Sequence, residues 1–222
     1  MISAKNIYKK YGELEVLKGV SLDVGEGEVV SIVGASGAGK TTLLQILSSL
    51  EKSSDPAKHY TEILIKRQDI THLSDRKLSE FRNENIGFIF QFHQLLPEFN
   101  AFENVCIPGY IGQHKTTDVH KKAKELLSFL GLEQRLHHKP SQLSGGEQQR
   151  VAVARALVNQ PKVIFADEPS GNLDSKNAEE LHQLFFRLRD EFGQTFVIVT
   201  HNEELANMAD RKLVMSDGRF EI

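Results

Sequence analysis

The chain has one cysteine, Cys106, so no disulfide can form within it, which fits a reducing compartment. Long apolar runs are also missing. The longest uninterrupted ones span four residues, far below the roughly 18 that a membrane-crossing helix requires. The start, Met1-Ile2-Ser3-Ala4-Lys5, has no apolar signal core. There is no long basic run, and 27 Lys and Arg against 30 Asp and Glu leave a formal net charge of −3. Neither nucleic acid nor anionic lipid is therefore expected as a primary partner. Internal repeats and low-complexity tracts are absent. Together these absences predict a cytoplasmic protein with no segment inserted in a membrane. Cys106 reads as a packed residue, since a catalytic thiol would need a partnered histidine that the pattern does not supply.

Over 222 residues, 40% hydrophobic and 26% charged, the chain is sized for one domain with a substantial core. Its most specified stretch is Gly34-Ala35-Ser36-Gly37-Ala38-Gly39-Lys40-Thr41, which meets the full pattern of a phosphate-binding loop. Glycines let the backbone turn tightly enough to aim N–H groups inward, and a helix starting near Gly39 adds the positive end of its dipole. Lys40 would reach the β and γ phosphates of a nucleoside triphosphate, and the Thr41 hydroxyl would ligate its Mg²⁺. The context agrees: Val29 to Val33 is a β-branched run that reads as a buried strand, and from Thr42 to Leu47 the chain reads as helix.

Before the loop, Ile2 to Lys9 and Ser21 to Val24 read as extended segments pairing antiparallel. Tyr11, in a polar turn, is an aromatic able to stack on a purine face. Beyond the loop come a surface connection at 52–57, a strand Glu62 to Ile65, a charged helical piece Asp75 to Asn83, and a buried strand Ile86 to Phe90 that delivers Gln91 at its carboxyl end, where ligands bind in open α/β sheets. Residues 93 to 160 read as mainly helical. Ala123, Leu126, Leu127 and Leu130 share one helical face, and Gly131 ends it. After Pro140, Leu143-Ser144-Gly145-Gly146-Glu147-Gln148 leads into an Ala/Val-rich helix, Val151 to Val158. Ser144 and Glu147 stand at capping-box spacing, while the paired glycines fit a second phosphate-binding face; both readings stay open. The strand through Val163 ends in Asp167-Glu168. Asp167 would hold Mg²⁺ through water, and Glu168 would polarise an attacking water. Ala178, Leu181, Leu184, Phe185, Leu188 and Phe192 mark the buried face of the next helix, which Gly193 ends. A strand Thr195 to Thr200 delivers His201, a γ-phosphate contact candidate, and Lys212 to Met215 with Arg219 to Ile222 reads as a closing hairpin.

These residues together resemble the ATP-binding-cassette ATPases over nearly the whole chain. The resemblance aligns Tyr11 with the adenine-stacking aromatic, Gly34 to Thr41, with Thr42 beside it, with the Walker A loop, and Gln91 with the Q-loop, a catalytic and metal position. Leu143 to Gln148 match the signature, Val163 to Asp167 the Walker B strand, Glu168 the catalytic glutamate, Asn172-Leu173-Asp174 the D-loop and His201 the switch histidine. It implies a phosphate-loop α/β fold with a mixed central sheet, an antiparallel amino-terminal layer and a helical subdomain. The expected single domain, 1–222, would have a core of 1–91 and 160–222 and a subdomain at about 92–159. It also implies ATP and Mg²⁺, a second copy whose signature closes on this chain's ATP, and two integral membrane permease subunits at the cytoplasmic face of a bacterial inner membrane. A finer likeness runs from Phe90 to Val105, which is similar to the ATPases of lipoprotein-releasing systems; its apolar residues would receive a coupling helix from a membrane subunit. The stretch Ala166 to Asp174 is similar to a wider group that includes efflux (MacB-type) and cell-division (FtsE-type) cassettes. Residues 52 to 61 depart from the pattern by lacking the Gly that usually precedes the following strand.

Overall fold

The computed structural model describes residues 1–221; Ile222, the end of the expected closing hairpin, lies outside them. The chain opens with β1 (Ile2–Tyr11), whose Ile2, Ala4 and Ile7 turn inward, and β2 (Leu14–Val24), which pairs with it antiparallel. Next come β3 (Val29–Val33), α1 (Lys40–Leu47), a one-turn α2 (Pro56–His59), β4 (Glu62–Ile65) and β5 (Gln68–Asp69). After α3 (Asp75–Asn85) and β6 (Ile86–Ile89) the chain runs through α4 (Ala101–Ile111), α5 (Thr116–Phe129) and α6 (Gly145–Leu157). It closes with β7 (Val163–Asp167), α7 (Ser175–Phe192), β8 (Thr195–Val199), α8 (Glu203–Met208), β9 (Arg211–Ser216) and β10 (Arg219–Phe220).

Among the described residues the strands form two sheets. One is antiparallel, in the order β2-β1-β4-β5; the other, β10-β9-β3-β8-β7-β6, is parallel except at its β10 edge. Strands β3, β7 and β8 are apolar runs because helices or strands cover both faces of a parallel sheet. Their alternate residues enter two separate cores. Val29, Ile164, Ala166, Phe196 and Ile198 pack with α4, α5, α6 and α7. Val30, Ile32, Val163, Phe165, Val197 and Val199 pack with α1 and the antiparallel layer. Burial of one such side chain is worth about 1.5–3 kcal/mol. The helices of residues 92–159 have no core of their own, since Val105, Cys106, Ala123 and Leu127 belong to the cluster under the sheet.

Three local expectations change. Phe192 is 54% exposed, because α7 ends there and its ring meets Phe129 edge-on at 5.5 Å instead of entering the core. The signature helix begins at Gly145, six residues before the apolar run at Val151, because Ser144 caps it. The connection at 52–61 contains α2, and it is tied to β1 without a glycine. Asp55 and Tyr60 themselves adopt left-handed φ of 46° and 53°, the Ser54 N–H donates to the Tyr8 carbonyl, and His59 stacks on Tyr8 at 4.0 Å. No helix among the described residues is long and apolar enough to cross a membrane.

Candidate nucleotide site

The turn between β3 and α1 is built from residues whose backbone most side chains could not follow. Gly34 has φ 148°, and a Cβ there would overlap the Met215 carbonyl oxygen of β9. Gly39, the N-cap of α1, has φ 103°, and a Cβ would lie 3.0 Å from the Val16 carbonyl oxygen. Only glycine meets both the dihedral and the space. The turn opens on a cavity of about 720 Å³ lined by Leu14, Val16, Ser36, Gly37, Gly39, Lys40, Thr41, Thr42, Gln91, Glu168, Gly171 and His201. The sheet explains this convergence: β3, β6, β7 and β8 are parallel, so the residues that follow their carboxyl ends gather along one edge.

Lys40 is 6% exposed, and its ammonium donates to the carbonyls of Gly34 at 2.8 Å and Ala35 at 2.9 Å. Burial pulls its pKa below the ordinary 10.5, against the opposing pull of Glu168 and Asp167. Burial likewise raises Asp167 above the usual carboxylate value, while the Thr41 hydroxyl, donating to Asp167 Oδ1 at 3.1 Å, and Lys40 oppose the rise. Each group is thus biased towards its neutral form, a bias that added opposite charge would reverse. Glu168 follows β7 in a left-handed conformation, φ 46°, a sparsely populated state for a residue with a side chain. Its Oε2 accepts from the His201 N–H at 3.0 Å. Its Oε1 is 3.3 Å from His201 Nε2 but outside hydrogen-bond geometry, and is buried without a partner. Gln91 lies just past β6; its carbonyl accepts from Asn172 Nδ2 at 3.1 Å, joining it to the loop 172–174. There Leu173 N–H donates to the Ser170 carbonyl and Asp174 caps α7 by accepting from Asn177 N–H.

Two of the stretches singled out in the sequence do not line this cavity. Tyr11 does not line the cavity: it sits across the β1–β2 hairpin from Leu14, with Lys9 Nζ 4.9 Å over its ring. The apolar wall is supplied instead by Leu14, 66% exposed, and Val16. The sequence pattern marks an extended segment only from Ser21, whereas β2 starts at Leu14, and the alternation of Leu14 and Val16 is the one local signal for this wall. The stretch Leu143 to Gln148, expected to close on the ATP of a second copy, does not line the cavity of its own chain. Leu143 is buried in the core, Gln148 Nε2 donates to the Pro140 and Leu143 carbonyls, and Ser144 with Glu147 forms a complete capping box. Gly146 borders a different cavity, of about 390 Å³, beside Leu173 and Asn177.

Glu147 is held down to about 2, first by the Ser144 N–H and next by the Arg135 guanidinium, whose Nε is 2.8 Å from Oε1. Because the folded value lies below the ordinary 4.5, its contribution to stability is complete above pH 4.5 and is lost as the pH falls towards 2. Acid unfolding followed by circular dichroism is expected to be steeper in that window for the unaltered chain than for Glu147→Gln; equal slopes would refute the coupling.

The profile of the ABC transporter family matches residues 17–171. The chain is 60% identical over 98% of its length to the "Lipoprotein-releasing system ATP-binding protein LolD" of Cytophaga hutchinsonii, covering 97% of it. It is 59% identical over 99% of its length to the protein of that name from Bacteroides fragilis, covering 100% of it. A dimeric structure of the ATP-binding cassette MJ0796 in a post-hydrolysis state, bound to ADP and Pi, superposes over 100% of this chain and 97% of the other at TM-score 0.88 and 41% identity. The fold that carries the loop and the strand-end acids thus matches that of a cassette solved with ADP and Pi bound, and the chain belongs to the ABC transporter family as one of its ATP-hydrolysing cassettes.

Proposed function

We propose that this chain is the ATP-hydrolysing subunit of a lipoprotein-releasing ABC transporter, working as a pair of copies beneath two membrane-embedded subunits at the cytoplasmic face. The observation that carries the reading is the single cavity onto which Lys40, Thr41, Gln91, Glu168 and His201 converge. The cargo class follows the relatives, which share their name and nearly their full length with this chain.

In this reading the Lys40 ammonium exchanges the Gly34 and Ala35 carbonyls for β and γ phosphate oxygens as ATP enters. Gly37 and Gly39 keep the loop backbone free of side-chain bulk against the phosphates. Glu168, whose Oε1 has no protein partner, accepts a hydrogen bond from the attacking water and draws off its proton. His201 holds that carboxylate through its backbone N–H and offers its ring to the γ phosphate. The oxygen donors Thr41 Oγ1 and Asp167 Oδ1, with the Gln91 amide, suit Mg²⁺, and they are too few to hold it without phosphate oxygens. Bound there, the ion would neutralise charge between the phosphates.

Support for a membrane partner comes from the far side of β6. Leu50, Phe88, Phe90, Pro108 and Ile111 line a cavity of about 490 Å³. Ile111 and Phe92 are 67% and 66% exposed beside Leu96 and Phe99, an exposure a solitary surface does not favour. Arg155 fixes the rim by donating to the His93 and Gln94 carbonyls. Isolation of the tagged chain from native membranes is expected to bring down two integral membrane subunits. Reconstituted with them, it should release a lipid-anchored protein on addition of MgATP. Ile111→Asp is expected to keep the ATPase rate of the isolated cassette within about twofold and to lose the membrane subunits. Retention of those subunits by Ile111→Asp would remove the groove from the proposal, and co-purification of nucleic acid alone would remove the transporter.

A further inference from the structure

The two residues after Glu168 are each held by a buried side chain from a different helix. From α6, Gln149 Nε2 donates to the Pro169 carbonyl at 2.8 Å; from α7, His182 Nε2 lies 3.0 Å from Ser170 Oγ. His182 is 1% exposed and Gln149 is fully buried. Each uses one polar atom and leaves another, Gln149 Oε1 and His182 Nδ1, buried without a partner. An unpaired buried polar atom is a standing cost that a leucine in the same place would not bear. His182 is therefore kept against a stability penalty, and its bond to Ser170 is what it provides in return.

Ser170 sits where that bond has most leverage. The Gly171 N–H donates to the Glu168 carbonyl at 3.0 Å and the Leu173 N–H to the Ser170 carbonyl at 3.1 Å, so two tight turns overlap at this residue. On one side is Glu168 with its left-handed backbone; on the other is the loop Asn172 to Asp174. A backbone held in an unfavoured region persists only where its surroundings over-determine it. The Glu168 carboxylate is fixed at its tip by His201, and Pro169 and Ser170 fix the chain that follows. Burial also holds the His182 pKa below the usual histidine value, so the ring is neutral and can share one proton with the serine hydroxyl.

We propose that His182 is a positioning residue for ATP hydrolysis: through Ser170 Oγ it holds the turn that sets the backbone of Glu168, without touching nucleotide itself. This rests on the reading of Glu168 given above. A displacement of about 1 Å at a reacting group can cost as much as 10²-fold in rate, so the loss of this brace should appear in kcat and not in nucleotide affinity.

The test uses the full chain, phosphate release with MgATP, and calorimetric titration with ADP. His182→Leu, which fills the space without a polar atom, is expected to lower kcat about tenfold or more and to leave the ADP dissociation constant within about twofold. His182→Gln, whose amide reaches about as far as Nε2, is expected to recover at least half of the lost rate. Ser170→Ala should reproduce the loss, and the double variant should be no slower than either single one. A kcat for His182→Leu within twofold of the unaltered chain overturns the proposal, as does a double variant in which the two losses multiply. If His182→Leu does not fold, Ser170→Ala decides alone, and an unchanged kcat there overturns it. Glu168→Gln separates the two readings: normal turnover in that variant removes the site assignment, whereas an inactive Glu168→Gln beside fully active His182→Leu and Ser170→Ala removes only the positioning role.

Discussion

Glu168→Gln is expected to bind ATP as the unaltered chain does and to lose about 10²–10⁴-fold in turnover, the usual worth of a positioned acid–base group, or about 2.7–5.4 kcal/mol of barrier. The substitution is close to isosteric, and the amide can still accept from the His201 N–H through its oxygen, so the strained turn at φ 46° need not move. What disappears is the proton acceptor. Lys40, Thr41 and Asp167 make no hydrogen bond to Glu168 and keep the arrangement that receives phosphates. Nucleotide binding and turnover should therefore separate, with trapped ATP sustaining association of two copies. Steady-state phosphate release beside equilibrium ATP binding measures both quantities. Unimpaired release would remove Glu168 from the reaction; loss of binding would show that the carboxylate is structural.

How much of this was legible beforehand depends on the range over which each residue's role is set. The Gly34 to Thr41 loop could be read because its requirements are local: φ values that glycine alone adopts, and one lysine within reach of the carbonyls it now holds. The strand ends bearing Gln91, Glu168 and His201 could be read because apolar β-branched runs in a parallel sheet share one direction. Positions set by the meeting of distant segments could not be read that way. Tyr11 was an aromatic near the right place, but the register of β1 on β2 gives the cavity wall to Leu14 and Val16. Phe192 fitted the helical period of α7 and is exposed because nothing in the period says where the neighbouring helix ends. His182 has no sequence signal at all, since its meaning lies in Ser170, twelve residues away across a turn.

Ser144→Arg is expected to leave ATP on the loop of its own chain and abolish turnover, because in the proposed pair of copies the cavity around Lys40 is half of a site. No residue from Leu143 to Gln148 lines that cavity, while Gly145 and Gly146 open α6 with no side chain over its amino-terminal N–H groups, which suit an anion. As the N-cap of α6, the Ser144 hydroxyl accepts from the Glu147 N–H at 3.2 Å, which leaves its O–H to donate to a phosphate oxygen. Cassettes 41% and 42% identical to this one have been solved as dimers, an arrangement in which two half-sites can complete each other. Lys40→Ala should, for the complementary reason, abolish association driven by nucleotide. Mixing the two inactive variants gives the sharper test. In a mixed pair one site combines the intact Lys40 of one chain with the intact Ser144 of the other, while the second site carries both lesions. Turnover should then reappear at up to about a quarter of the unaltered rate, since about half of the pairs are mixed and one of their two sites is whole. Normal hydrolysis by Ser144→Arg alone would defeat the shared site, because a wall supplied by a second copy cannot be blocked without consequence.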